Sequence, residues 1–209
     1  MPRGSKALTD ARKKEIVDAC EKLYKTLSFK AITIKEIGRA TSFTRTSIYN
    51  YFQTKEEIFL ALLQREYDLW CADLSQMLAN HDRMTVDQFA NALAHTLEKR
   101  DQLLKLMSMN HYDMEENSRM ENLVEFKRSY GASMQAVTRC VKKFFPKMTD
   151  HDVQTFIYAF FPFMFGLYPY TFVTDKQQEA MDAADANYVF FSLYELTCSC
   201  VKKLLAGCE

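Results

Sequence analysis

Glycine and proline are scarce in this chain, at five and four of 209 residues, well below their usual share. Glycine-rich phosphate loops, runs of tight hairpins and βαβ turns are hard to build from so few. Strand-like alternation, internal repeats and low-complexity linkers are also missing. His81, His95, His111 and His151 form no HExxH pair and no Cys/His zinc spacing, and there is no nucleophile elbow or kinase signature. No metal, cofactor or enzymatic activity is therefore expected. The six cysteines, Cys20, Cys71, Cys140, Cys198, Cys200 and Cys208, are dispersed in apolar helical patterns behind a short, basic, polar start. Free thiols in a reducing cytoplasm are expected rather than a disulfide framework.

Charge is present in balance but not evenly spread. The chain has 27 basic and 27 acidic residues. Up to Lys55 there are twelve basic residues against five acidic, a net of +7, and the remainder carries −7. A basic head on an acidic body points to an anionic partner, such as nucleic acid, for the head alone. This change of charge, with a change in helix length, divides the chain into residues 1–55 and 56–209.

An all-α fold follows from the helix-start signals. Ser/Thr followed three residues later by Glu/Gln recurs at Thr33/Glu36, Thr54/Glu57, Thr85/Gln88, Ser118/Glu121 and Thr174/Gln177, where side chain and backbone can satisfy one another's orphan groups. Thr9, Thr44 and Thr149 read as simpler N-caps. The pattern predicts helices at about 10–27, with Ile16, Cys20, Leu23 and Leu27 on one stripe, then 34–40, 45–51, 55–78, 86–99, 101–112, 119–145, 150–169 and 176–205.

The two short helices carry the functional signal. In TIKEIGRATSFTRTSIYNYF (33–52), Ile34 and Ile37 give the first helix an apolar side and Gly38 keeps its surface low. Thr41-Ser42-Phe43 turns the chain, Thr44 caps the second helix, and Ile48 and Phe52 return to the core. That is the layout of a helix-turn-helix, whose second helix offers its N-terminal residues to base edges. Arg45, Thr46, Ser47, Tyr49 and Asn50 are the exposed set, and Arg45 can bind guanine through two hydrogen bonds. Thr33, Tyr49, Tyr51 and Lys55 could instead hold phosphates. Periodicity alone leaves open a plain helical hairpin with solvated basic residues; the +7 charge of the segment favours DNA.

These residues also carry a resemblance. IVDACEKLY (16–24), Ser28-Phe29, TIKEIG (33–38) and TRTSIYNYFQTKEE (44–57) resemble the DNA-binding head of tetracycline-repressor (TetR) family regulators, over about residues 10–65. The resemblance implies a homodimeric, ligand-responsive transcriptional regulator, most often a repressor. Such a regulator binds double-stranded operator DNA through a three-helix head and leaves it when a small hydrophobic effector occupies the helical C-terminal domain. It implies Lys35, Arg45, Thr46 and Ser47 at or near bases, and Thr33, Thr44, Tyr49, Asn50, Tyr51 and Lys55 mainly on phosphates. Ser28 and Ser42 stand where the family pattern has glycine, so the turn is expected to be recast if Ser42 must be left-handed. The alternative is a helical small-molecule-binding or interaction module whose basic head meets an acidic protein.

In the body, residues 153–174 hold no charge and nine aromatic residues. The length could span a bilayer, but two internal prolines, polar side chains and tyrosine hydroxyls favour burial between protein layers. By the resemblance, the last two helices, about 150–169 and 176–205, form the dimer face, with Pro162 kinking the first. Trp70, Met77, Met107, Met109, Tyr112, Phe126, Met134, Phe160, Phe163 and Tyr168 are candidates for an effector pocket, and plain core is the competing reading for each. Eleven methionines suit an adaptable chamber without identifying its ligand.

Overall fold

The computed structural model describes residues 6–208, without the side chains of Met109 and Asn110. Among the described residues the regular structure is helical: α1 (Lys6–Tyr24), α2 (Ile34–Arg39), α3 (Arg45–Ile48), α4 (Lys55–Asn80), α5 (Val86–Glu98), α6 (Asp101–Glu116), α7 (Met120–Phe144), α8 (Asp150–Thr171), α9 (Asp175–Ala183) and α10 (Leu193–Leu204). They divide into two compact units, one of residues 6–65 and 110–129, the other of residues 66–109 and 130–208. Residue 55, where the charge changes, is the first residue of α4 and lies inside the first unit.

In the first unit α1 packs on α2 and α2 on α3. The buried stripe of α1 is Ile16, Cys20 and Tyr24, whose ring meets Phe59 edge-on at 5.1 Å. Leu27, expected on that stripe, lies beyond the helix end and is exposed. Ile32, Ile37, Ile48, Phe52 and Ile58 complete the core. Gly38 has the packing role expected of it: a Cβ there would stand 3.2 Å from Arg45 Cα and 3.3 Å from Arg45 Cβ. Even a methyl group there requires Arg45 to give way slightly.

The turn before α3 needs no left-handed serine. Asp185 is the one non-glycine residue with positive φ among those described. The Thr41 hydroxyl instead lies 3.0 Å from the Gly38 carbonyl and 3.1 Å from that of Phe43, and the Ser42 amide donates to Glu15 on α1 at 2.5 Å. Ser28 is accommodated similarly, its hydroxyl accepting from the Ala31 amide at 3.3 Å.

In the second unit α10 packs on α5 and α8. Phe89, Ala90, Leu93, Ala94 and Leu97 recur at helical spacing on the buried face of α5, and Phe89 sits against Phe144 and Phe145 at 5.8 and 5.5 Å. Trp70 is fully buried, 6.0 Å from Phe161. Its indole N–H donates to Thr96 Oγ1 at 3.0 Å, and that hydroxyl donates to the Leu93 carbonyl at 2.7 Å. Seven residues of α8 are buried, from Val153 to Leu167, with Pro162 and Pro169 inside the helix. Among the described residues no single helix is long and apolar enough to cross a membrane, and the one pair that passes together, α8 with α9, is bent by 83°.

Reciprocal capping boxes form at Thr85/Gln88 and Thr174/Gln177 as expected, and Thr149 forms one with Asp152. Several expectations fail: Thr9 lies inside α1, which runs from Lys6, and at Thr33 the hydroxyl accepts from the Glu36 amide without the reciprocal bond. Ser118 does not cap α7, which starts at Met120, and its hydroxyl has no partner. The predicted helix over 176–205 is broken: α9 stops at Ala183, Asp185 takes φ 50°, and Ser192/Glu195 opens α10 with a capping box of its own. Hydrophobic periodicity runs across the break because Tyr188–Phe191 is apolar, but Val189, Phe190 and Phe191 are exposed.

Replacing Thr96 by valine keeps its shape and removes the acceptor for a buried indole N–H, which costs about 1–3 kcal/mol. A urea melt followed by the single tryptophan should show that loss as a lower midpoint with an unchanged slope.

Candidate nucleic-acid interface

The second short helix is a single turn. Thr44 sits at its N-cap without bonding the backbone through its side chain, its hydroxyl lying 3.1 Å from that of Ser47. The chain continues as tight turns, with Tyr51 and Phe52 amides donating to the Ile48 carbonyl at 2.8 and 3.0 Å. Ile48 and Phe52 are buried on one side. On the other side Thr44, Arg45, Thr46, Tyr49 and Asn50 are exposed and Ser47 and Tyr51 are half-buried. Thr33 and Lys35, at the start of α2, are exposed as well. Of the ten residues singled out for DNA contact, Thr33 and Lys35 lie at the start of α2, seven lie from the N-cap of α3 through the turn that follows it, and Lys55, half-buried, opens α4.

Several of them are already engaged. The Arg45 guanidinium stands 5.9 Å from the centre of the Tyr49 ring and donates to its hydroxyl at 3.3 Å, which pre-orients both side chains while leaving most of the arginine fork free. Lys55 is less free than its sequence position suggests. Its ammonium donates to the Phe29 carbonyl at 2.9 Å and lies 4.2 Å from the Phe29 ring centre, so a phosphate has to share it with the α1–α2 loop.

Glu57 has a role that spacing alone did not reveal. As the expected partner of Thr54, its amide does donate to the Thr54 hydroxyl at 3.2 Å. Its carboxylate passes the cap by. Oε2 accepts from the Gln53 amide at 2.7 Å and Arg119 Nη2 at 2.9 Å, and Oε1 from Arg119 Nε at 2.6 Å and the Arg119 amide at 3.1 Å. The side chain is fully buried while that of Arg119 is 41% exposed. Burial alone would raise the Glu57 pKa, but the bonds from Arg119 and Gln53 outweigh it and hold the carboxyl below its ordinary 4.5. Arg65 is likewise held by two acids of α1, Asp18 and Glu21. A cleft of about 420 Å³ lies between α1, α4 and α7, with Lys13, Val17, Phe52, Gln64 and Asn122 on its walls.

The effector-pocket candidates divide between the two units. Trp70, Met77, Met107 and Phe160 are buried in the second unit; Phe163 and Tyr168 are half-buried there. Trp70 and Phe160 have core neighbours, the latter stacked on Phe156 at 5.6 Å, and Tyr168 stacks on Phe172 at 4.4 Å. Met134 lines a shallow groove of about 240 Å³ with Thr138, Val153, Ile157 and Tyr158. Phe126 is buried in the first unit. Tyr112, also in that unit, is 85% exposed, which corrects its placement in a pocket: the buried stripe of α6 runs through Leu103, Leu104, Met107 and Met114, and position 112 falls off it. The Met109 side chain lies outside the described residues. No group of three or more metal-ligating residues occurs among those described, and all six cysteines are free.

The head therefore presents a helix-turn-helix with a polar and cationic outer face, joined to a separate helical unit, which is the build of a DNA-binding regulator. The family descriptions agree. Residues 16–62 match "Bacterial regulatory proteins, tetR family" and residues 64–209 match "Tetracyclin repressor-like, C-terminal domain". The chain belongs to the TetR family of transcriptional regulators, with an N-terminal helix-turn-helix domain and a tetracyclin repressor-like C-terminal domain; such regulators are generally DNA-binding proteins rather than enzymes. It is 30% identical over 67 residues to the uncharacterized HTH-type transcriptional regulator YfiR of Bacillus subtilis, a stretch that is 32% of this chain and 33% of that protein. The fold is shared with FadR, the fatty acid degradation regulator of Bacillus halodurans (TM-score 0.59, 14% identity, 99% and 98% of the two chains). It is shared too with Bacillus subtilis FadR in complex with stearoyl-CoA (0.59, 15%, 94% and 99%). Thermus thermophilus FadR in complex with lauroyl-CoA is similar as well (0.57, 16%, 93% and 94%).

Because the folded pKa of Glu57 is depressed, its contribution is present at neutral pH and is lost as pH falls through the folded value. Glu57→Gln should cost about 1–3 kcal/mol at pH 7, since the partly exposed Arg119 can be rehydrated. Urea melts from pH 7 down through the carboxylate range should show the two proteins converging in acid.

Proposed function

We propose that this chain is a homodimeric cytoplasmic repressor whose head reads operator DNA through α3 and lets go when a small hydrophobic effector occupies the C-terminal unit. The observation that carries the reading is the two-sided recognition helix. Ile48 and the Gly38 contact fix its inner side, while Arg45, Thr46, Tyr49 and Asn50 are presented outward. Lys35, Arg45, Thr46 and Ser47 are assigned to bases, and Thr33, Thr44, Tyr49, Asn50, Tyr51 and Lys55 to phosphates.

For the effector, the half-buried aromatic residues Phe163 and Tyr168 of α8 and the buried Met107 of α6 suit an apolar guest. Long-chain acyl-CoA is the first class to test, because two proteins of the same fold were solved with stearoyl-CoA and lauroyl-CoA.

For the dimer, Tyr158, Tyr170, Phe172, Val189, Phe190 and Phe191 are exposed on α8 and on the segment before α10. The rings of Tyr170, Tyr188 and Phe190 follow one another at 6.4 and 4.8 Å, and exposed apolar residues of this kind are expected at an interface, so the dimer face is assigned to α8 and the 188–191 segment rather than to two continuous last helices. Phe190→Arg should shift the protein toward monomer in sedimentation at micromolar concentration. An unchanged dimer would place the interface elsewhere.

The reading is tested by selecting duplexes from a random pool with the full-length protein, then measuring affinity across a salt series. Enrichment of a palindrome with steep salt dependence is expected. Tyr49→Ala should weaken binding to every duplex, whereas Arg45→Ala should relax preference at one position by about 1–3 kcal/mol. If no duplex is enriched even at low salt, the head is not a DNA reader.

A further inference from the structure

The four-residue α3 is too short to hold its own conformation, since a helix nucleus costs more than one turn of hydrogen bonds returns. Its N-terminal side is set by Gly38 and the Thr41 turn. Its C-terminal exit, residues 51–54, is set by something farther away in sequence. The Gln53 amide is held by Glu57; the Tyr51 carbonyl accepts from Arg119 Nη2 at 3.3 Å; the Thr54 hydroxyl donates to the Asn117 carbonyl at 2.9 Å. Glu57 closes the arrangement by accepting three times from Arg119. Residues 117–119 are themselves anchored: the Asn117 amide and side-chain nitrogen donate to the Asp113 carbonyl at 3.2 and 2.9 Å. All of these groups belong to the first unit.

We propose, resting on the DNA-binding reading above, that Glu57 and Arg119 are a positioning pair for DNA recognition: a clamp that fixes the exit of the recognition helix to the turn between α6 and α7 without touching a base. The chemistry suits that task. Arg119 offers Nε and Nη2 as a planar fork to a fully buried carboxylate, an arrangement with far narrower geometry than a lysine contact. The same guanidinium reaches the Tyr51 carbonyl, so it couples the carboxylate to the recognition segment directly. A shift of the 117–119 turn then changes the frame in which Arg45 and Tyr49 are presented.

The test uses full-length protein and the duplex selected by the wild type, at a temperature where every variant is folded. Arg119→Ala should lower affinity at least tenfold, leave the dependence of log affinity on log salt within about half a unit of wild type, and speed amide exchange over residues 51–57 while α5 and α10 exchange as before. Arg119→Lys, which keeps the charge and loses the fork, should recover only part of the affinity. Glu57→Gln provides a second, shape-conserving break of the clamp if Arg119→Ala folds poorly, and should reproduce the loss. Wild-type affinity in folded Arg119→Ala, or full recovery with lysine, overturns the proposal. A loss accompanied by a salt slope lower by about one phosphate contact also overturns it, because Arg119 then binds DNA itself. If the wild type selects no duplex, the regulator reading fails instead, and unchanged exchange at residues 51–57 in Arg119→Ala would separately overturn the clamp.

Discussion

A recognition helix of one turn must borrow its rigidity. Everything in the head follows from that constraint. Ile48 and Phe52 anchor it from below, Gly38 lets α2 approach to within contact of Arg45, and a buried carboxylate fixes the chain where it leaves. None of these residues needs to touch DNA. They determine whether the outward side chains of the helix-turn-helix are presented at one angle or many.

The buried Glu57 shows how the constraint is met energetically. A fully desolvated carboxylate without partners is costly. Here both oxygens are satisfied twice, by two backbone amides and two guanidinium nitrogens, so the charge becomes a fixed junction between segments 62 residues apart. The partly exposed Arg119 keeps contact with water and so limits the desolvation cost of the pair. Arg65 with Asp18 and Glu21 ties α4 to α1 in the same manner nearer the surface.

The second unit is organised on a different principle, aromatic packing around Trp70, Phe89 and the inner face of α8. The aromatic residues of α8 and the segment before α10 divide between that core and the exterior. The inner ones stabilise the unit, and the outer ones, with Val189, stand exposed. An uncharged, aromatic-rich stretch thus has one buried and one exposed set of side chains.

The sequence by itself determined the helical class, the helix-turn-helix, most helix starts and the outward residues of α3. These depend on interactions within about four residues, capping hydroxyls and 3.6-residue periodicity, which are written in the order of the side chains. Tertiary structure decided the rest. Glu57 reads as a capping residue until Arg119 is brought to it, and Lys55 reads as a free cation until Phe29 folds beneath it. Residues 176–205 read as one helix because Tyr188–Phe191 keeps the pattern apolar, although Asp185 turns the chain and Ser192 starts it afresh. The candidate pocket was the least legible, since an apolar side chain facing a core and one facing a chamber have the same periodicity. Only packing between distant helices tells them apart, as it did in placing Tyr112 outside and Trp70 against Thr96.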